Sequence, residues 1–130
     1  MLVLAMLLRT AAPQPPSMQA PADRAPDAAA RDVLQRYSTA LAALDADAVK
    51  RVQPSVDIDT LKRAFREMRT LEVTIDRVRV LSNDGGVMRV SCRVTQTLMP
   101  RAGTKQTSTV NRVLRLRKQE ALWIIEGFER

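Results

Sequence analysis

Leu71-Glu72-Val73-Thr74-Ile75-Asp76-Arg77-Val78-Arg79-Val80 is the stretch on which the fold of this chain turns. Leu71, Val73 and Ile75 share one parity and Glu72 and Thr74 the other, as in a strand with one apolar face. Across Asp76-Arg77 the apolar parity switches to Val78 and Val80. Side chains in a strand alternate with period two, so the switch requires one extra residue, which a β-bulge supplies.

Reading on toward the C-terminus, Asn83-Asp84-Gly85-Gly86 holds the residue types that tolerate the positive φ of a tight hairpin. A second strand follows from Val87 to about Leu98. It puts Met88, Val90, Cys92, Val94 and Leu98 on one face and Arg89, Ser91, Arg93, Thr95 and Thr97 on the other. Pro100-Arg101-Ala102-Gly103 makes the next turn. A third strand, Lys105 to Arg117, sets Val110, Leu114 and Leu116 against Arg115 and Arg117. Lys118-Gln119-Glu120 reads as the last turn, and Ala121 to Glu129 as a fourth strand around Trp123, Ile124 and Ile125. One greasy and one charged face describe an antiparallel sheet covered on a single side.

Upstream lie helices. Asp27 or Asp32 caps a helix running to about Leu44, with Val33, Leu34, Tyr37, Leu41 and Leu44 as its apolar stripe. Asp45 or Asp47 caps a short second helix, Ala48 to Val52, which Pro54 ends. Asp57 or Asp59 caps a third, burying Leu61, Phe65 and Met68. The fold class is therefore α+β: N-terminal helices packed on one face of a four-stranded antiparallel sheet. The chain divides into three parts. Residues 1–9 form an apolar segment, residues 10–27 a Pro/Ala-rich disordered linker, and residues 28–130 the folded domain. Met1 to Leu8 is too short to span a bilayer, which takes about 20 residues, and no positive region precedes it as in a signal peptide. It reads either as the end of a transmembrane helix or as a degenerate signal sequence. Both place the domain outside the cytoplasm, extracytoplasmic or periplasmic and membrane-tethered; the alternative is a cytoplasmic protein whose N-terminus is merely apolar.

Composition narrows the function. The 130 residues carry a net charge of +7, but the arginines fall at alternate strand positions and on helix faces, as on a solvated exterior. No Lys/Arg run with interleaved aromatics appears, so nucleic acid is not the expected partner. There is no histidine and one cysteine, Cys92. No internal disulfide can close, Cys/His metal ligation is ruled out, and neither metal nor cofactor is expected. Cys92 lies on the apolar parity of its strand and reads as a small buried hydrophobe.

A first helix with Tyr37 and Ala40-Leu41, then Leu44-Asp45-Ala46-Asp47-Ala48-Val49, is similar to the opening of the nuclear transport factor 2-like superfamily, also called cystatin-like or SnoaL-like. Leu116-Arg117-Lys118 followed by Leu122-Trp123-Ile124-Ile125 resembles its final hairpin. With Val52-Gln53-Pro54-Ser55-Val56 and Leu61-Lys62-Arg63-Ala64-Phe65, the chain looks like domains that follow transmembrane segments in large bacterial proteins, some of them kinases. The resemblance covers residues 28–130. It implies a curved sheet wrapped around the first helix, a cone with a pocket at its open end. Some relatives carry a second cysteine at the position corresponding to about Val78, which cannot pair here. Family enzymes such as ketosteroid isomerases and scytalone dehydratases place an Asp or His base and Tyr donors in the cone.

The leading expectation is a non-catalytic module that binds a small apolar ligand or a protein partner, with Tyr37, Leu41, Phe65, Met88 and Cys92 lining the pocket. A small isomerase- or cyclase-type enzyme is the alternative. Its acid would be Asp57, opposite Tyr37 as donor, or Glu126, which shares parity with Ile124 and Phe128. A dimerising assembly subunit is the third reading, opposed by Arg89, Arg93, Arg115 and Arg117 on one face unless acids intervene.

Overall fold

The structure, a computed structural model, describes the backbone of residues 14–129 and the side chains of residues 26–129. The expected membrane or signal segment lies outside the described residues. In chain order the elements are α1 (Gln14–Ala42), α2 (Ala46–Val52), α3 (Ile58–Arg66), β1 (Met68–Asn83), β2 (Val87–Pro100), β3 (Gln106–Gln119) and β4 (Leu122–Glu129). The strands form one antiparallel meander, β1-β2-β3-β4, curved and open, with the helices on its concave side.

α1 starts at Gln14, ahead of the Asp27 or Asp32 cap expected for it, so the stretch read as a disordered linker is helical from that point. Pro15 and Pro16 fall in the first turn, where a missing N–H costs nothing. Pro21 and Pro26 lie deeper and each forgo one backbone bond, against the helix preference of the alanines around them. The C-terminal end is a Schellman closure. Asp45 N–H donates to Ala40 O at 3.2 Å and Leu44 N–H to Leu41 O at 3.0 Å, with Leu44 left-handed at φ 54°. The same turn starts the next helix, because the Asp45 side chain accepts from Ala48 N–H at 3.1 Å. Asp57 likewise caps α3, accepting from the N–H groups of Asp59 and Thr60.

β1 bulges where the parity switched. Asp76 pairs with Arg93 and Arg79 with Ser91, leaving Arg77-Val78 opposite Cys92, and Arg77 takes φ 54°. Val73, Ile75, Val78 and Val80 all pack against the core as a result. That core joins Ala30, Val33 and Leu34 of α1 to Met88, Val90, Cys92 and Val94 of β2, Leu114 and Leu116 of β3, and Ile125 of β4. A second cluster, Ala40, Leu41, Ala46, Val49, Phe65 and Leu71, locks α2 and α3 onto the end of α1 and the start of β1. Two cross-links tie the helical layer to β4: Arg36 of α1 donates to Trp123 O at 3.0 Å, and Ser55 of the α2–α3 loop to Glu126 O at 3.3 Å.

The convex face carries the arginines, and acids do intervene. Arg89 grips Glu129 through two bonds of 2.8 Å, Arg93 grips Asp76 at 2.6 and 2.9 Å, and Arg115 and Arg117 share Glu126 at 3.2 and 3.3 Å. The face expected to repel its own copy is thus a lattice of ion pairs. The final turn also differs from expectation. β3 runs on to Gln119 and the loop is Glu120-Ala121, with Glu120 at φ 57°, the positive angle that a tight two-residue hairpin needs at its first position.

Candidate functional site

β2 and β3 place Cys92 opposite Arg112, Val94 opposite Val110 and Gln96 opposite Ser108, all on the concave face. α1 covers the end of that face holding Met88, Val90, Leu114 and Leu116, and it reaches the middle with Tyr37. Past Tyr37 the sheet curves on uncovered and leaves a cavity of about 230 Å³. Ile75, Cys92, Val94, Val110, Leu114 and Phe128 make its apolar walls; Tyr37, Gln96, Ser108 and Arg112 are its polar groups. Wider depressions exist, two of which flank the helices. One of about 370 Å³ runs between α1 and β1, and one of about 620 Å³ lies beside Leu44, Phe65 and Arg101. Both are open surface grooves, and the cone pocket is the more enclosed.

Phe128 organises the mouth. Its ring lies 6.2 Å from that of Tyr37, tilted by 57°, and the Arg112 guanidinium stands 5.9 Å from its centroid. Among the described residues no carboxylate pairs with Arg112. Its charge faces the pocket over an aromatic ring, a geometry that holds a cation in place without neutralising it. Burial pushes the Tyr37 hydroxyl above its ordinary pKa, and the Arg112 charge only partly offsets this. Tyr37 is therefore a neutral hydrogen-bond donor. Cys92 is also pushed up, first by burial and then by the Asp76 carboxylate, and stays an unreactive thiol at neutral pH.

Of the residues expected to line the pocket, the structure brings Tyr37 and Cys92 together. Met88 is fully buried beneath α1, and Leu41 and Phe65 belong to the second cluster; none of the three lines the cone pocket. Neither acid considered for an enzyme reaches it. Asp57 is occupied as a helix cap, its pKa lowered chiefly by the hydrogen bond from Thr60 N–H. Glu126 leaves the concave face because β4 bulges there: Ile125 pairs with Leu116 but Gly127 with Arg115. Its carboxylate turns outward to Arg115 and Arg117. The residues that sequence reasoning passed over are Arg112, Gln96 and Ser108. Their signal was present: Arg112 interrupts Val110-x-x-x-Leu114 on the apolar parity, and Gln96 stands between Val94 and Leu98 on theirs.

No protein-family model matches the chain, and no curated protein does. Solved structures do. A protein proposed to be a scytalone dehydratase, from Novosphingobium aromaticivorans, superposes with a TM-score of 0.71 at 10% identity, over 82% of this chain and 83% of its own. A proposed dehydratase of the nuclear transport factor 2-like family from Streptomyces avermitilis gives 0.65 at 10% identity, over 78% and 92%. A nuclear transport factor 2-like superfamily protein from Salmonella enterica gives 0.61 at 12% identity, over 75% and 85%. The chain has the nuclear transport factor 2-like fold. At these identities the likeness speaks for the fold alone.

Proposed function

We propose that this domain is a non-catalytic binding module whose cone pocket takes a small molecule with an apolar body and an anionic end. The observation that carries the reading is the pocket's polar set: one unneutralised cation, Arg112, with the neutral donors Tyr37, Gln96 and Ser108, and no carboxylate. A general base must lie within hydrogen-bond reach of the proton it takes, and the lining offers none. At about 230 Å³ the cavity falls below the roughly 300–1,000 Å³ of sites for drug-sized ligands. An occupant near the size of a single substituted ring suits it. The test is calorimetric titration with benzoate and its neutral counterpart benzamide. Benzoate binds at least tenfold more tightly, and Arg112→Gln removes the difference. Equal affinity for the two in the unaltered protein overturns the reading.

The proposal includes a tether. The apolar run Met1 to Leu8, closed by Arg9, supports anchoring in a membrane with the domain held beyond it. Among the described residues no helix is long and apolar enough to cross a membrane, and the proposed anchor lies outside them. Cell fractionation of the full chain and of a variant lacking residues 1–9 tests this. The full chain sediments with membranes and the shortened one does not; equal partitioning refutes the tether.

A further inference from the structure

The described part of β4 pairs with only half of β3. Their pairing ends at Val113 opposite Glu129, while β3 continues back to Gln106. Among the described residues, Gln106 to Arg112 therefore pair with β2 on one side and with nothing on the other. All seven are exposed, including Val110 at 40%. In an antiparallel strand each residue aims both its N–H and its C=O to one side, alternately, so every second residue of this segment offers a donor and an acceptor to solvent.

Sheet edges are normally blunted by bulges, proline or charge. The opposite edge of this sheet follows that rule: β1 is broken by three register shifts and carries Arg69, Arg77 and Arg79. The β3 segment does not. It runs in unbroken register along β2 from Leu98 to Cys92, contains no proline, and is rich in the β-formers Thr107, Thr109 and Val110. It is regular, bare and ready to accept a strand.

We propose that Gln106–Arg112 is a docking edge for an extended, acidic segment of a partner protein, which binds by adding a fifth strand to the sheet. Charge selects the partner. Lys105 and Arg112 bracket the edge, no acid occurs between Gly103 and Gln119, and neither cation has a carboxylate partner among the described residues. An antiparallel guest would set one side chain against Arg112 and the next on that face against Val110. The favoured pattern begins Asp/Glu-x-apolar and closes on a second acid near Lys105. A second copy of this chain fits less well: two-fold pairing about Thr109 would set Arg112 against Gln106 and Lys105 against Val113, and no acid between Gly103 and Gln119 would meet either cation.

The test uses two fluorescent heptapeptides, Glu-Thr-Val-Thr-Val-Thr-Glu and Lys-Thr-Val-Thr-Val-Thr-Lys, titrated into the full chain at low salt. The acidic peptide binds at least tenfold more tightly, and it slows amide hydrogen exchange within Gln106–Arg112. Gln106→Pro and Thr107→Pro, both outside the pocket lining, form a pair in which one proline removes an outward N–H and its neighbour an inward one. The variant that keeps the wild-type melting temperature loses the peptide and, since the pocket's charge is untouched, still binds benzoate. No binding, equal binding of both peptides, or protection elsewhere in the sheet overturns the proposal. So does a concentration-dependent dimer in sedimentation that the same proline dissolves, since the edge would then belong to a second copy.

Discussion

Replacing Arg112 by leucine separates a side chain kept for a ligand from one kept for the fold. In a structural role, the guanidinium would be paired with a carboxylate, a pair that at a residue as exposed as Arg112 contributes about 0.2–1 kcal/mol. No such partner exists among the described residues. Arg112 stands between Val110, which is 40% exposed, and Leu114, which is 1% exposed, so a leucine there would be about half buried. Full burial of a leucine contributes about 1.5–3 kcal/mol, and half of that is about 1 kcal/mol. Against it stands the lost interaction with Phe128, about 0.5–1 kcal/mol at an exposed site. The two nearly cancel. Arg112→Leu should melt within about 4 °C of the wild type, because 1 kcal/mol shifts a domain of this size by roughly 4–8 °C. Its benzoate affinity should fall about 10–150-fold, the equivalent of the 1.5–3 kcal/mol of a charged hydrogen bond. Thermal denaturation followed by circular dichroism and calorimetric titration measure the two. A melting temperature lowered by more than about 8 °C, with benzoate affinity intact, would refute the assignment of Arg112 to the ligand.

Glu120→Gly should raise the melting temperature by about 2–4 °C. Relief of a left-handed residue is worth roughly 1–2 kcal/mol, less the 0.4–1 kcal/mol by which glycine stabilises the unfolded chain; a decrease would show that Glu120 is not strained. Cys92 should react with a disulfide reagent at neutral pH only as fast as the protein opens, and fully in urea; rapid labelling of the native protein would contradict its burial. The carboxylates of Asp57, Asp84 and Glu129 are all held below their ordinary pKa, by hydrogen bonds from Thr60, from Gly86 and from Arg89 respectively. Depressed carboxylates contribute stability that is complete above their unfolded pKa of about 4 and is lost as pH falls through the folded values. Asp84→Asn should therefore lose less stability between pH 5 and pH 2 than the wild type in urea titrations, and an unchanged acid limb would sink the argument.

What the sequence disclosed was whatever is written locally. The bulge at Arg77 and the Asn83–Gly86 hairpin depend on residues within a few positions of one another, and both were legible. So were the caps at Asp45 and Asp57, each with its alternative alongside. The start of α1 was not, because the Asp27 and Asp32 caps and the prolines argued for a later boundary than the alanines allow. The last turn was misplaced by a residue or two, since Glu120 has none of the chemistry that marks a positive φ. Glu126 could not be placed at all without the β4 bulge, whose position depends on pairing with β3. The ion pairs were hidden for the same reason: Arg89 and Glu129 stand 40 residues apart. Arg112 is the instructive case. It was visible as a charge on the apolar parity, but arginines were read as exterior by default.

The bulge at Arg77 also says where curvature is stored. Remove that one residue, and Leu71, Val73, Ile75, Val78 and Val80 would fall into a single unbroken alternation, a flatter ribbon with the same greasy side. Composition and hydropathy would hardly change. The bend that opens the cone is thus held in a count of residues and not in their kind. Shape of this sort is altered by a codon gained or lost and passes unnoticed through most substitutions. Two chains of this fold can therefore share every apolar position and still differ in what they have room to hold.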